Sequence, residues 1–367
     1  MKRLCKQNLH NVKPYIPGKP IEEVERELGI KNIIKMASNE NPLGTSPGVL
    51  RAISDALGSI NRYPDADCYY LKKAISEKYS VTSENVFVGN GSDEIFVLAL
   101  RAFIHPGEEV LVADPTFLMY NIASVAEGAA VCSVPMKNMR YDLEAMAQAI
   151  TDKTKMIFIA NPDNPVGSYV TEDELDKFID RVPEKVLIIL DEAYCEFVDA
   201  DDYPQAIGLA DRSDKNIIIT RTFSKAYGLA GLRVGYGIAR RDIVEILNKV
   251  REPFNVNSIA QVAALAALKD DNHVKKSVSL VWEEKKRFYK FFKELNLEYV
   301  PSYTNFILVN TNRNSKKIFR EILKRGIIIR EMSAWRLDGF IRVTIGLKEE
   351  NDRFFKAFKE VIEAITG

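Results

Sequence analysis

Arg221–Tyr236 reads RTFSKAYGLAGLRVGY, and the fold turns on how this stretch is read. Lys225 follows a small hydroxyl residue, glycines and small residues come after it, and Arg233 stands eight positions on. Lysine offers a primary amine on a long flexible stem, which a Schiff base requires. Thr222 and Ser224 add hydroxyl donors and Arg233 a guanidinium, a set suited to a phosphate dianion. Gly228, Gly231 and Gly235 let backbone pass close to a flat ring. Read together, Lys225 forms a Schiff base with pyridoxal phosphate (PLP) and Arg233 holds its phosphate. Taken alone, the stretch also reads as a basic surface loop between a strand and a helix, so the flanking motifs decide.

Working outward, strands and helices alternate on both sides. Val86–Val88, Glu109–Ala113, Lys155–Ala160, Val186–Leu190, Asn216–Thr220 and Gly235–Ile238 are apolar runs of strand length, as in a sheet buried on both faces. Helical patterns cover Pro47–Leu57, Tyr69–Tyr79, Asp93–Phe103 and Thr171–Arg181. This alternation predicts an α/β fold, three layers with a mostly parallel central sheet. An Ala-rich helix at Ser258–Leu268 and a charged one at Val274–Leu295 follow. The tail reads strand (Phe306–Asn310), helix (Ser315–Arg325), strand (Ile327–Arg330), strand (Phe340–Ile345) and helix (Glu349–Ile365), a smaller C-terminal α/β domain. The expected division is an N-terminal arm over 1–41 that packs with the small domain, a large domain over 42–257 and a small domain over 258–367. Val12–Pro20, VKPYIPGKP, is irregular because proline removes donors and fixes φ; a short helix over Ile21–Leu28 ends at Gly29.

Composition narrows the function. The chain has 367 residues, with 51 Lys+Arg against 51 Asp+Glu, so no net charge draws it to nucleic acid or a membrane surface. Cys5, Cys68, Cys132 and Cys195 form no CxxC pair and read as reduced thiols of a cytoplasmic chain. With His10, His105 and His273 scattered as well, no metal site is expected. Met1–Leu9 carries charges without an apolar core, unlike a signal peptide, and no apolar run reaches the roughly 18 residues of a membrane span.

The polar motifs sit at strand ends, where ligands of such sheets bind. In VFVGNGSDEIF, Ser92 caps a helix or, with Gly91 and Asp93, forms the rim of an anion site at the helix N-terminus; both readings stand. It is no dinucleotide fingerprint, because Glu94 occupies the third glycine position, and this counts against a nicotinamide dehydrogenase. NPDNPVG places Asn164 just past a strand, where its amide can donate to the PLP phenolate oxygen. Asp191, at the end of VLIILD, is either a cap or the partner of the pyridine nitrogen, whose protonation makes the ring an electron sink. Tyr194 can share the phenolate oxygen with Asn164. Phe117 either faces the ring or is plain core.

On these motifs the chain resembles the fold-type I PLP-dependent aminotransferases. Within them it is similar, nearly end to end, to the histidinol-phosphate aminotransferases. PYIPGKP, SNENPLG, RYPDAD, GNGSDE, NPDNPVG, DEAY, PFNVNSIAQ, GIIIREM and IRVTIG occur in the order of that family. Where most relatives read NPNNPTG, this chain has Asp163 and Val166; the stacking tyrosine is Phe117. The resemblance implies a homodimer, an enzyme of histidine biosynthesis, and an active site into which Tyr63 reaches the partner subunit's cofactor phosphate. It implies that Tyr15, Arg330 and Arg342 hold the phosphate of histidinol phosphate, with Arg342 also taking the carboxylate of glutamate. Without it, Arg330 and Arg342 read as a solvated strand edge. It further implies ping-pong exchange with 2-oxoglutarate, Lys225 moving the proton. Rivals on the same fold are an aromatic or broad-specificity aminotransferase and a decarboxylase of amino-acid phosphates. A ligand-sensing domain of a transcription regulator is a third; some forty residues before the fold, without a helix-turn-helix pattern, argue against it.

Overall fold

The computed structural model describes residues 4–366. Met1–Arg3, which open the charged N-terminal stretch, and Gly367 lie outside the described residues. The strands are β1 (Ile34–Lys35), β2 (Val86–Gly89), β3 (Glu109–Asp114), β4 (Ala130–Pro135), β5 (Thr154–Ala160), β6 (Leu187–Asp191), β7 (Asn216–Thr222), β8 (Gly235–Ala239), β9 (Glu298–Tyr299), β10 (Phe306–Asn310), β11 (Ile327–Ile328), β12 (Arg330–Glu331) and β13 (Phe340–Thr344).

Seven strands form the large sheet in the order β2-β8-β7-β6-β5-β3-β4. All run parallel except β8, which is antiparallel to both neighbours. The expected continuous apolar strands arise because both faces are covered. Leu111, Ile157, Ile188 and Ile217 enter one core, while Val110, Met156, Ile189 and Ile218 enter the other. Each such side chain contributes about 1.5–3 kcal/mol on burial, so a charge is tolerated only at strand ends. Strand β4 was not anticipated: it is the edge, half-exposed, and lacks the continuous apolar run of the central strands.

The small unit carries a four-stranded antiparallel sheet, β12-β13-β10-β9. The single strand expected over Ile327–Arg330 is two. β11 pairs in parallel with β1 of the arm, whereas β12 joins β13. Val24 of the arm is buried with Ala37, Leu323 and Ile328. At the start of the arm, Asn8 Nδ2 donates to Ala126 O of the large unit at 3.2 Å. The helix Ser258–Leu268, expected to open the small domain, buries Ala260, Ala263, Ala264 and Ala267 in the core of the large one. It packs against helices Pro47–Ala56 and Tyr69–Tyr79, and small alanine side chains permit close approach. Among the described residues no helix is long and apolar enough to cross a membrane.

Candidate active site

At the carboxyl ends of β5, β6 and β7 lies a cavity of about 230 Å³. Ser92, Asp93, Phe117, Asn164, Asp191, Tyr194, Thr222, Ser224, Lys225 and Arg233 line it, so one space collects ten of the residues singled out in the sequence. Gly91 stands behind the wall. A Cβ there would fall 2.5 Å from Arg233 Nη2, so the glycine makes room for the guanidinium. Arg233 itself adopts the left-handed region (φ 54°), a strained state for a residue with a Cβ.

One end of the cavity is built for an anion. Helix Ser92–Phe103 points its N-terminus there. Ser92 does not cap it; the N-cap is Gly91, and Glu94 Oε2 takes the free Asn90 N–H at 2.6 Å. The Ser92 hydroxyl is thus not consumed by capping. Arg233 Nη1 donates to Ser224 Oγ at 3.3 Å, and its Nη2 pairs loosely with Asp93 at 3.5 Å. Thr222 Oγ1 accepts from Ser224 N at 3.1 Å, which leaves the hydroxyl hydrogen free.

Asp191 lies at the buried end. Tyr120 Oη donates to its Oδ2 at 2.6 Å, and Ala193 N and Thr220 Oγ1 donate to Oδ1. Burial pushes its carboxyl up to about 6, so it is ionised at neutral pH and presents a negative charge to any cation in the cavity. Sequence reading missed Tyr120, whose only signal is its position one helical turn after Phe117.

Among the described residues Lys225 Nζ has a single hydrogen-bond contact, Ser38 O at 3.5 Å. Burial, and then the charge of Arg342, lower its pKa to about 8, while Asp93, Glu40 and Tyr15 pull the other way. A buried amine so poorly partnered is a base near neutral pH and a nucleophile toward a carbonyl. Tyr194 Oη accepts from Asn39 Nδ2 at 2.9 Å, and burial pushes its pKa to about 12, so its own hydrogen remains for the cavity. Asn164 Oδ1 accepts from Arg342 Nη1, which leaves its Nδ2 as a donor.

The segment Ala37–Gly44 roofs these groups, a role invisible in SNENPLG. Ala37 O accepts from Arg342 Nη2 at 2.9 Å, Asn41 Nδ2 donates to Ala226 O at 2.9 Å, and Thr45 Oγ1 donates to Gly228 O at 2.9 Å. Gly228 is required, since a Cβ there would lie 2.3 Å from Gly44 O.

Arg330 and Arg342 are not on a solvated edge. They are cross-strand partners in β12–β13, 9% and 4% exposed. Like charges directly opposite each other repel. Burial, then Tyr194 and Tyr15 acting oppositely, and the Arg330 charge leave Arg342 lowered to about 10. Their Nε atoms have no hydrogen-bond partner among the described residues. Trp335 spans both guanidiniums at 5.1 and 5.9 Å, and Tyr15 faces Arg330 at 5.7 Å. Tyr63 lies outside this cavity, 82% exposed and stacked on Phe254 at 4.6 Å.

The donor set fits PLP. Hydroxyl and guanidinium donors ring a helix N-terminus, a carboxylate lies at the buried end, and an under-partnered amine lines the same cavity. This combination defines a PLP-dependent transferase. The family model for Aminotransferase class I and II matches residues 31–358, and the chain belongs to that family. It is 49% identical to the histidinol-phosphate aminotransferase of Moorella thermoacetica over 98% of this chain and 93% of the other. It is 45% identical to histidinol-phosphate aminotransferase 2 of Carboxydothermus hydrogenoformans over 99% of this chain and all of the other. Among solved structures, it superimposes with a TM-score of 0.90 on the histidinol-phosphate aminotransferase of Sinorhizobium meliloti in complex with pyridoxal-5'-phosphate, at 30% identity and 98% coverage of both chains.

Proposed function

We propose that the protein is a histidinol-phosphate aminotransferase that exchanges an amino group between histidinol phosphate and 2-oxoglutarate or glutamate. The observation that carries this reading is the buried Arg330–Arg342 pair, two repelling cations with unfilled donors beside Lys225. A phosphate dianion relieves that repulsion better than a carboxylate, and guanidinium binds both. Two donors of different length are accommodated because each presents its anion near the reacting amine.

PLP, when bound, supplies an electron sink that makes the substrate α-proton labile. The residues supply the rest. Arg233, Ser92, Ser224 and Thr222 hold the cofactor phosphate, with Gly91 and Asp93 shaping that end. With the cofactor bound, Asp191 would keep a proton on the ring nitrogen, Asn164 and Tyr194 would donate to the phenolate oxygen, and Phe117 would offer the ring an apolar face. Lys225 Nζ, neutral in a large fraction near pH 8, would take the proton from the substrate carbon and hold it at Nζ for its return. Arg330, Arg342 and Tyr15 fix the anionic end, which orients the carbon–hydrogen bond toward Lys225. The chain works as a homodimer in which Tyr63 reaches the partner's cofactor phosphate. The exposed apolar side chains of Leu50, Leu57, Ile60, Tyr63, Tyr69 and Tyr70 support such a covered face.

The test is a half-reaction. Cofactor-loaded protein is mixed with histidinol phosphate without a keto acid, and the visible absorbance of the cofactor is followed. Loss of that absorbance, restored by 2-oxoglutarate, is the expected result. Conversion by phenylalanine or tyrosine but not by histidinol phosphate would move the protein to the aromatic aminotransferases, and carbon dioxide released from an added amino-acid phosphate that carries a carboxylate would move it to the decarboxylases.

A further inference from the structure

Three carboxylates line the active cavity, and two are committed at its deep end. Asp93 faces Arg233 and Asp191 receives the Tyr120 hydroxyl. The third, Glu40, is bound on one side only: Lys35 Nζ donates to Oε1 at 2.8 Å, and Oε2 has no partner among the described residues. Its side chain is 43% exposed. A half-exposed ion pair of this kind adds little to stability, so Lys35 alone gives weak reason for an acid here.

Position gives a stronger reason. Glu40 is the one residue that lines both the active cavity and an outer recess of about 340 Å³. The recess has a mixed lining, with Pro20, Ile21, Ile33 and Ile345 as its apolar side chains and Glu22, Lys35, Thr344 and Glu350 among its polar ones. The roof segment also fixes an order. Ala37 O meets Arg342, Ser38 O meets Lys225, and Glu40 follows, at most about 10 Å along the chain from Ala37. Histidinol phosphate has the same order: phosphate, then the amine-bearing carbon, then imidazole. With the phosphate on Arg342 and the reacting carbon at Lys225, the ring reaches the mouth that Glu40 guards.

We infer that Glu40 is the specificity-determining residue for the far end of the substrate, its carboxylate accepting the imidazole N–H while the ring body rests against the apolar recess. The inference rests on the histidinol-phosphate reading. A heteroaromatic ring with an N–H is thereby preferred over a phenyl ring of similar size, because the phenyl ring leaves Glu40 Oε2 partly desolvated and unpaired.

The experiment measures binding, not turnover. Two ligands without the reacting amine, 3-(imidazol-4-yl)propyl phosphate and 3-phenylpropyl phosphate, are titrated calorimetrically into cofactor-loaded wild-type, Glu40→Ala and Glu40→Gln proteins. Wild type is expected to favour the imidazole ligand. Glu40→Ala weakens that ligand about ten- to hundredfold, the range for a charge-assisted hydrogen bond, and the phenyl ligand less than about threefold. Glu40→Gln, which keeps an acceptor oxygen, recovers part of the loss. Equal weakening of both ligands would mean that Glu40 only supports the roof, and no weakening would mean that it does not touch the ring; either overturns the inference. If the wild-type protein binds neither phosphate, the functional reading fails first and takes the inference with it.

Discussion

The two ends of the active site are built by different means. The cofactor end is local. Thr222, Ser224, Lys225 and Arg233 lie within twelve residues, on the connection from β7 to β8, and Gly91–Asp93 form a single turn. The substrate end is assembled by register: Arg330 and Arg342 meet only because β12 and β13 pair as they do, and Tyr15 arrives from the arm. A local motif keeps its chemistry if neighbouring elements shift slightly. A site made by register does not, since a one-residue slip turns a side chain to the other face.

Predictions sharpen this contrast. The largest effect is expected for Lys225→Ala, which should lower turnover by about 10⁴-fold or more, because no other group stands ready to move the proton. Absorbance and single-turnover kinetics measure it; retention of both would break the assignment of the cofactor end. Next is Asp191→Asn, expected to cost about 10²–10³-fold in kcat while the anion grip is untouched. At the substrate end, Arg342→Lys keeps charge but loses the fork, so KM for histidinol phosphate should rise roughly tenfold or more with kcat little changed. Were kcat to fall instead, the two ends would be less independent than their construction suggests.

A smaller effect concerns Asp163. Burial pushes this carboxyl up to about 7, against Thr116, Val166 N–H and Tyr141, which all donate to it. Because the folded pKa lies above the unfolded one, the native state binds the extra proton, and stability falls as pH rises from about 4 to about 7. Asp163→Asn should remove that slope and gain about 1–3 kcal/mol at pH 8, since the amide still accepts from Val166 and donates to the hydroxyls. Urea unfolding across pH checks it. The smallest expected change is for Tyr63→Phe: cofactor affinity drops a few-fold, while the melting temperature stays, as the side chain is largely exposed within one chain.

What was legible follows the same division. The centre of the large sheet and its strand ends could be read because each central strand is a continuous apolar run and each polar residue next to it is conspicuous. Ser92 reads as a possible cap because sequence shows the hydroxyl but not that Gly91 is the N-cap and that Glu94 takes the Asn90 N–H ahead of it. Strand β4 was hidden by exposure, and the Ile327–Arg330 run concealed a change of partner at Ile329. The helix Ser258–Leu268 was placed in the wrong unit because alanines show burial without showing the neighbour. Tyr120 and the Ala37–Gly44 roof act through contacts about 70 to 300 residues apart, which no local pattern encodes.

The paired guanidiniums bear on handling of the protein. Phosphate or sulfate in a buffer meets the same unfilled donors at Arg330 and Arg342, and a second set at Arg233 when the cofactor is absent. Each ion that binds the folded chain adds stability in proportion to the logarithm of its concentration. The same ion competes with histidinol phosphate. A buffer chosen to lengthen shelf life therefore slows the assay, and the apparent KM should climb linearly with added phosphate while the melting temperature rises.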